Sequence, residues 1–286
     1  MSRIAYVNGQ YVIHADASVH VEDRGYQFAD GVYEVCEIRD GHLVDERRHL
    51  DRLDRSLREL RIDPPMDRGP LGVVLREVVA RNRVRNGLVY LQVTRGVARR
   101  DHAFPAAGTP ASLVVTARSV NFAASDKGAE VGIKVITVPD NRWERVDIKT
   151  VGLLPNVLAK QAAKEAGAKE AWFVDASGHV TEGSSTNAWI VTADGKLVTR
   201  SAESGILRGI TRTVLFDLAE KEQLRIEERA FTREEAMGAR EAFISSATNL
   251  VMPVVMIDGQ AIGEGTPGPM SRRLRERYHA YAEFSV

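Results

Sequence analysis

The chain has one cysteine, no net charge and no apolar run of membrane-spanning length. Each shortage excludes something. Cys36 alone cannot build an internal disulfide framework or a cysteine-based zinc cluster. Within Val32-Tyr33-Glu34-Val35-Cys36-Glu37-Ile38 it reads as a half-buried strand thiol, not a nucleophile. The 39 basic and 39 acidic residues cancel, which argues against a surface for nucleic acid or anionic lipid. The amino terminus, Met1-Ser2-Arg3-Ile4-Ala5-Tyr6, has no long apolar run either, so a cytoplasmic protein with no membrane partner is expected. There are no repeats, no low-complexity segments, and no GxGxxG, Walker, HExxH or GxSxG motif.

What is present is a globular balance. Hydrophobic residues make up 44% and charged residues 27% of 286, enough to build one large domain or two of ordinary size. Asn8-Gly9 between Ile4–Val7 and Gln10–Ile13 predicts a hairpin, and Asp40-Gly41 between Val32–Ile38 and His42–Val44 predicts a second. From Asp45 to Ile62 the period changes: Leu50, Leu53, Leu57 and Leu60 mark an amphipathic helix. Pro70 to Val84 repeats it with Leu71, Val74, Leu75, Val78 and Val79. Strands follow at Leu88–Thr94 and Ala111–Ala117.

Arg118 to Gly128 loses periodicity and gains Ser, Asn, Asp and Gly, which reads as a connection between domains. Domains at 1–120 and 129–286, joined by a linker over 121–128, are expected. The second half reads as a strand over Val131–Val138, a helix over Asn156–Ala166 ending at Gly167, and a strand at Glu170–Val174. Val180 to Thr199 holds two strands around Asp194-Gly195, and Ile210–Gln223 is a helix. A strand at Ala242–Ser246, a hairpin over Met252–Ile262 and a helix over Pro269–Tyr281 complete the chain. Hairpins with segregated helices indicate an α+β architecture.

Lysine is scarce, eight against 31 arginines, and Lys149 stands in Val146-Asp147-Ile148-Lys149-Thr150, just before Leu153-Leu154-Pro155-Asn156. About thirty residues on comes Val180-Thr181-Glu182-Gly183-Ser184-Ser185-Thr186-Asn187. A lysine able to form a Schiff base and a carboxylate able to hold a pyridine nitrogen protonated are the minimum for pyridoxal-phosphate chemistry. Three further segments carry candidate chemistry. Asp23 to Glu34 reads as a loop feeding a strand, with Tyr33 at the strand's start. Arg52 flanks the buried stripe of its helix and can reach inward toward a phosphate. Thr94-Arg95-Gly96-Val97-Ala98-Arg99-Arg100-Asp101-His102-Ala103-Phe104-Pro105 reads as a loop able to trap a carboxylate, or as a charged surface loop. In addition, Gly209-Ile210-Thr211-Arg212 opens a helix whose backbone N–H groups can receive an anion, with Thr211 as a possible N-cap.

Together these segments resemble, essentially end to end, the pyridoxal-phosphate enzymes of fold type IV, and most closely the D-amino-acid transaminases. The resemblance implies a two-domain α+β fold with a smaller amino-terminal domain and a larger carboxy-terminal pseudo-barrel domain. It implies pyridoxal 5'-phosphate as cofactor, Lys149 as the Schiff-base lysine and Glu182 as the partner of the pyridine nitrogen. Arg52 would hold the cofactor phosphate, with backbone groups of Ile210 and Thr211. Tyr33, Arg100 and His102 would bind the carboxylate of a D-amino acid or 2-oxo acid; in the family Arg100 and His102 are commonly contributed to the neighbouring subunit's site, so a homodimer is implied. A threonine common in the family after the last core strand is Ala247 here, which leaves Thr248 or backbone groups for the phosphate. Arg99 adds a cation beside the trap. Branched-chain L-amino-acid or (R)-amine transaminases and aminodeoxychorismate lyases are alternatives of the same fold, without the Arg-x-His loop in this form.

Overall fold

The computed structural model, which describes residues 3–285, begins with the hairpin expected at Asn8-Gly9. Strands β1 (Ile4–Val7) and β2 (Gln10–Ile13) pair antiparallel across it. Both turn residues have positive φ, 45° and 95°, a geometry whose twist matches that of the strands. The loop expected over Asp23–Glu34 contains a helical turn, α1 (Arg24–Phe28). Asp23 caps it by accepting from the Gly25 amide at 2.9 Å, and Ala29 closes it in the left-handed region. Strand β3 (Gly31–Arg39) then turns through Asp40-Gly41 into β4 (His42–Val44).

Helices α2 (Glu46–Leu60) and α3 (Arg68–Arg81) follow the leucine and valine spacing. Leu50, Leu53, Leu57, Leu71, Leu75 and Val78 join Val89, Leu91 and Val115 of the neighbouring strands in one core, each buried side chain contributing about 1.5–3 kcal/mol. Strands β5 (Gly87–Thr94) and β6 (Ser112–Ser119) complete an antiparallel sheet of seven strands. Its order is Phe284–Ser285, β4, β3, β5, β6, β1, β2. Cys36 on β3 is wholly buried, not half-buried as expected. Burial pushes its thiol pKa well up, with Glu34 and Glu46 adding to the effect, so it stays an unreactive thiol.

The second sheet has its own core. Helix α4 (Phe122–Val131) fills most of the stretch expected as a linker. Its alanines favour helix, and Arg275 holds it through Ser125 Oγ at 3.1 Å and Asp126 at 2.8 Å. After β7 (Ile133–Pro139) come α5 (Leu154–Glu165), β8 (Glu170–Val174), β9 (Val180–Gly183), β10 (Asn187–Val191) and β11 (Leu197–Thr199). Val180 to Thr199 thus holds three strands instead of two. The chain breaks after Glu182-Gly183, where the Gly183 amide donates to the Thr186 carbonyl at 2.7 Å. Helix α6 (Ile210–Lys221), β12 (Ile226–Glu228), α7 (Arg233–Met237), β13 (Glu241–Ser246), β14 (Leu250–Ile257), β15 (Gln260–Ala261) and α8 (Pro269–Arg277) follow. The sheet runs β12, β11, β10, β13, β14, β7, β8, β9, with β15 paired to β14.

Two units result, and their bounds differ from the expected 1–120 and 129–286. One is Met1–Phe122 with Ile148–Gly152 and Glu283–Val286; the other is Ala123–Asp147 with Leu153–Ala282. The lysine segment returns to the first unit because it pairs there. Val32 bridges Thr150, the Tyr33 amide donates to the Lys149 carbonyl at 3.0 Å, and the Val151 amide donates to Gly31 at 3.1 Å. Ile148 lies in the first core. Among the described residues, no helix is long and apolar enough to cross a membrane.

Candidate active site

Lys149 is fixed by its backbone before its side chain. The pairing with β3 sets its direction, and its amide lies 3.4 Å from Ser56 Oγ. Its Nζ stands 4.3 Å from the centroid of the Tyr33 ring, a contact in which the ring face attracts the ammonium group. The Tyr33 ring in turn lies 5.6 Å from that of Tyr90, whose hydroxyl donates to Gln92 Oε1 at 2.6 Å. Burial, with Tyr33 alongside, pushes the Tyr90 pKa up to about 12, so this phenol remains a neutral donor.

Arg52 reaches inward as expected, with its side chain only 9% exposed. The anion it meets in this chain is Glu34. Its Nε and Nη2 donate to the two carboxylate oxygens, each at 2.7 Å, and His49 Nδ1 lies 2.7 Å from the same group. Burial alone would raise the Glu34 pKa. The charge and hydrogen bonds of Arg52, with His49, bring it down to about 2. Arg100 and His102 stand on the exposed loop after β5 and share one aromatic platform. The Arg100 guanidinium is 4.6 Å, and the His102 ring 5.5 Å, from the ring of Phe28. These contacts are with α1; Tyr33 keeps to Lys149 and Tyr90.

In the second unit Glu182 is buried within β9, 6% exposed. One oxygen takes a hydrogen bond from Arg142 Nη1; the other accepts from Asn187 Nδ2 and the Leu207 amide, both at 3.2 Å. Arg142 is itself gripped by Asp140 at 2.7 and 2.9 Å. Burial works against the Arg142 charge, but the Asp140 hydrogen bond and the two carboxylates outweigh it and hold its pKa raised. Neither Arg142 nor Asn187 was singled out by sequence. Nothing in Asp140-Asn141-Arg142 points to a partner forty residues away.

Helix α6 begins beside this network. Its N-cap is Gly209, not Thr211, and no side chain caps it. A Cβ on Gly209 would stand 2.1 Å from Asn187 Oδ1, so glycine allows the close approach that lets Asn187 serve Glu182. Asn187 Nδ2 also donates to the Leu207 carbonyl at 3.0 Å. Ile210 and Thr211, in the first turn, are buried at the positive end of the helix, where an anion is favoured. Thr248 lies exposed in the β13–β14 turn, its hydroxyl 3.2 Å from Ser246 Oγ. A buried carboxylate and an uncapped helix start, joined through Asn187, fit a ligand with a protonated ring nitrogen and a phosphate, as pyridoxal phosphate has.

A family model described as amino-transferase class IV matches residues 31–257. The chain belongs to the class IV aminotransferases. Among relatives of this class IV aminotransferase, a D-alanine aminotransferase of Bacillus licheniformis is 42% identical over 268 residues, 94% of this chain and 93% of that protein. Another from Staphylococcus haemolyticus is 39% identical over 279 residues, 97% of each. Among solved structures, a branched-chain amino acid aminotransferase of T.th. with pyridoxamine 5'-phosphate superposes with a TM-score of 0.90 at 26% identity, covering 99% of both chains. The Escherichia coli branched-chain enzyme gives 0.87 at 25% identity, covering 98% of this chain and 94% of that one. The two-domain fold of type IV is therefore shared with branched-chain aminotransferases of known structure.

Proposed function

We propose that this class IV aminotransferase is a pyridoxal-phosphate-dependent D-amino-acid transaminase, moving an amino group from a D-amino acid to a 2-oxo acid. The observation that carries the D-amino-acid reading is the near full-length identity to D-alanine aminotransferases, well above that to the branched-chain structures. Pyridoxal phosphate, when bound, supplies the carbonyl that accepts the amino group and a protonated ring that draws electrons from the substrate's α-carbon. Lys149 Nζ is the amine that holds the cofactor at rest and the base that takes the Cα proton. Glu182 keeps a proton on the ring nitrogen by direct charge pairing. Arg142 and Asn187, both hydrogen-bonded to Glu182, hold that carboxylate oriented.

Arg52, the amides of Ile210 and Thr211, and Thr248 serve the phosphate. The bidentate pair with Glu34 fixes the plane of the Arg52 guanidinium. Tyr33, Arg100 and His102 bind the substrate carboxylate, and that contact sets which hand of amino acid presents its Cα hydrogen to Lys149. The homodimer and the cytoplasmic location implied by the family resemblance belong to the same proposal. The test is a half-reaction on cofactor-loaded protein without any 2-oxo acid, following the visible cofactor band. Loss of the band with D-alanine, and not with L-alanine or L-leucine, is expected. Loss with L-leucine alone would place the enzyme with the branched-chain group.

A further inference from the structure

Two buried arginines share one carboxylate beside the loop that carries Arg100 and His102. Arg24 Nε donates to Asp30 Oδ2 at 2.8 Å, while Arg95 donates through Nε to the same oxygen at 2.7 Å and through Nη2 to Oδ1 at 2.9 Å. The side chains are 4%, 9% and 13% exposed for Arg24, Arg95 and Asp30. One carboxylate cannot neutralise two guanidiniums, so the second charge must be met by peptide carbonyls. Arg95 donates to those of Leu60 and Arg61, each at 2.7 Å, at the negative end of α2. Arg24 donates to those of Asp101 at 2.6 Å and Ala103 at 3.2 Å, with that of His102 at 3.5 Å.

Arg24 therefore grips the backbone on both sides of His102. It also shares the Phe28 ring with Arg100, the two guanidiniums lying 4.9 and 4.6 Å from its centroid. The loop itself is exposed from Arg99 to Phe104 and has no helix or strand. A loop of that kind does not hold two side chains in fixed geometry unaided, whereas binding a carboxylate for reaction demands it.

We propose that Arg24, held by Asp30, is the positioning residue of the substrate-carboxylate trap, setting where the Arg100 guanidinium and the His102 imidazole stand. The inference rests on the reading of Arg100 and His102 as that trap. The test uses cofactor-loaded enzyme carrying Arg24→Gln, Arg24→Lys, Asp30→Asn or Arg100→Ala, and the double variant Arg24→Gln/Arg100→Ala. KM and kcat are measured for D-alanine and pyruvate, together with the cofactor dissociation constant.

Arg24→Gln is expected to raise both KM values about tenfold, the scale of losing charged hydrogen bonds. Its kcat and cofactor affinity should stay within about twofold of the starting enzyme, and Arg24→Lys should recover part of the KM. In the Arg100→Ala background Arg24→Gln should add less than about twofold, because the group it acts through is gone. A full, multiplicative effect in that background, or a parallel loss of cofactor affinity, makes Arg24 a general structural residue and overturns the proposal. If Arg24→Gln does not fold, Arg24→Lys and Asp30→Asn carry the same comparison against Arg100→Ala. An unchanged KM for Arg100→Ala itself would overturn the trap reading beneath it. A raised KM there with an unchanged Arg24→Gln would overturn the positioning role alone.

Discussion

Replacing Arg52 with Met strips the cation from a carboxylate that has no access to water. Glu34 is wholly buried, and although burial pushes its carboxyl up, Arg52 and His49 bring the pKa from 4.5 to about 2. A pKa lowered by folding stabilises the protein above the unfolded value, and that contribution is lost as the pH falls from about 4.5 toward 2. The gap corresponds to about 3 kcal/mol at neutral pH. Arg52→Met leaves the desolvation of Glu34 without its main compensation, so a loss of about 3–5 kcal/mol is expected at pH 8. The sign of the pH dependence should also reverse. With burial dominant, the Glu34 carboxyl titrates above its ordinary range, so the variant should regain stability between pH 8 and 5.5 while the parent stays level with respect to this pair. Adding Glu34→Gln removes the buried charge and should recover more than half of the loss. The assay is urea unfolding of cofactor-free protein followed by circular dichroism, which keeps ligand linkage out of the comparison. A variant within about 1 kcal/mol of the parent at pH 8, with no gain on acidification, would refute the reasoning.

Lys149→Ala should abolish turnover and the visible band of lysine-bound cofactor while the protein still melts as a folded molecule, since the backbone pairing of residue 149 with Tyr33 remains; multiple turnover without added amine would contradict it. Arg142→Gln removes the charge hydrogen-bonded to the buried Glu182 carboxylate, so urea unfolding should show a loss of about 3 kcal/mol, and an unchanged midpoint would show that Arg142 is not its counter-charge. Gly209→Ala places a Cβ 2.1 Å from Asn187 Oδ1; with Asn187 displaced, pyridoxal phosphate should bind about tenfold more weakly in a fluorescence titration, and equal affinity would uncouple Asn187 from the cofactor.

Local physics made much of the fold legible. The glycine turns at Gly9 and Gly41 follow from the positive φ that the hairpins need, and the leucine spacing of α2 follows from the single face it buries. Helix α4 escaped because Ala129 is its one buried residue, which leaves no stripe to count. Strand β12, three residues long, is too short to show alternation and is fixed by parallel pairing with β11. Of the proposed site, Lys149 and Glu182 stand out by rarity and segment context. Arg24, Arg95 and Arg142 did not, because an arginine's task is set by partners that are remote in sequence. Arg24 and Arg95 meet at Asp30 and Arg142 meets Glu182, yet in the sequence they look like any of the 31.

The return of Ile148–Gly152 to the first unit has a consequence for how the molecule is made. The first sheet takes its lysine segment from residues 148–152 and its outermost strand from Phe284–Ser285, so it cannot be finished when residue 122 leaves the ribosome. Chain closure over more than a hundred residues precedes the Tyr33–Lys149 contact, and such distant pairings form slowly. Lys149, the proposed Schiff-base lysine, is thus among the later parts to be seated, and an amino-terminal fragment lacks it altogether.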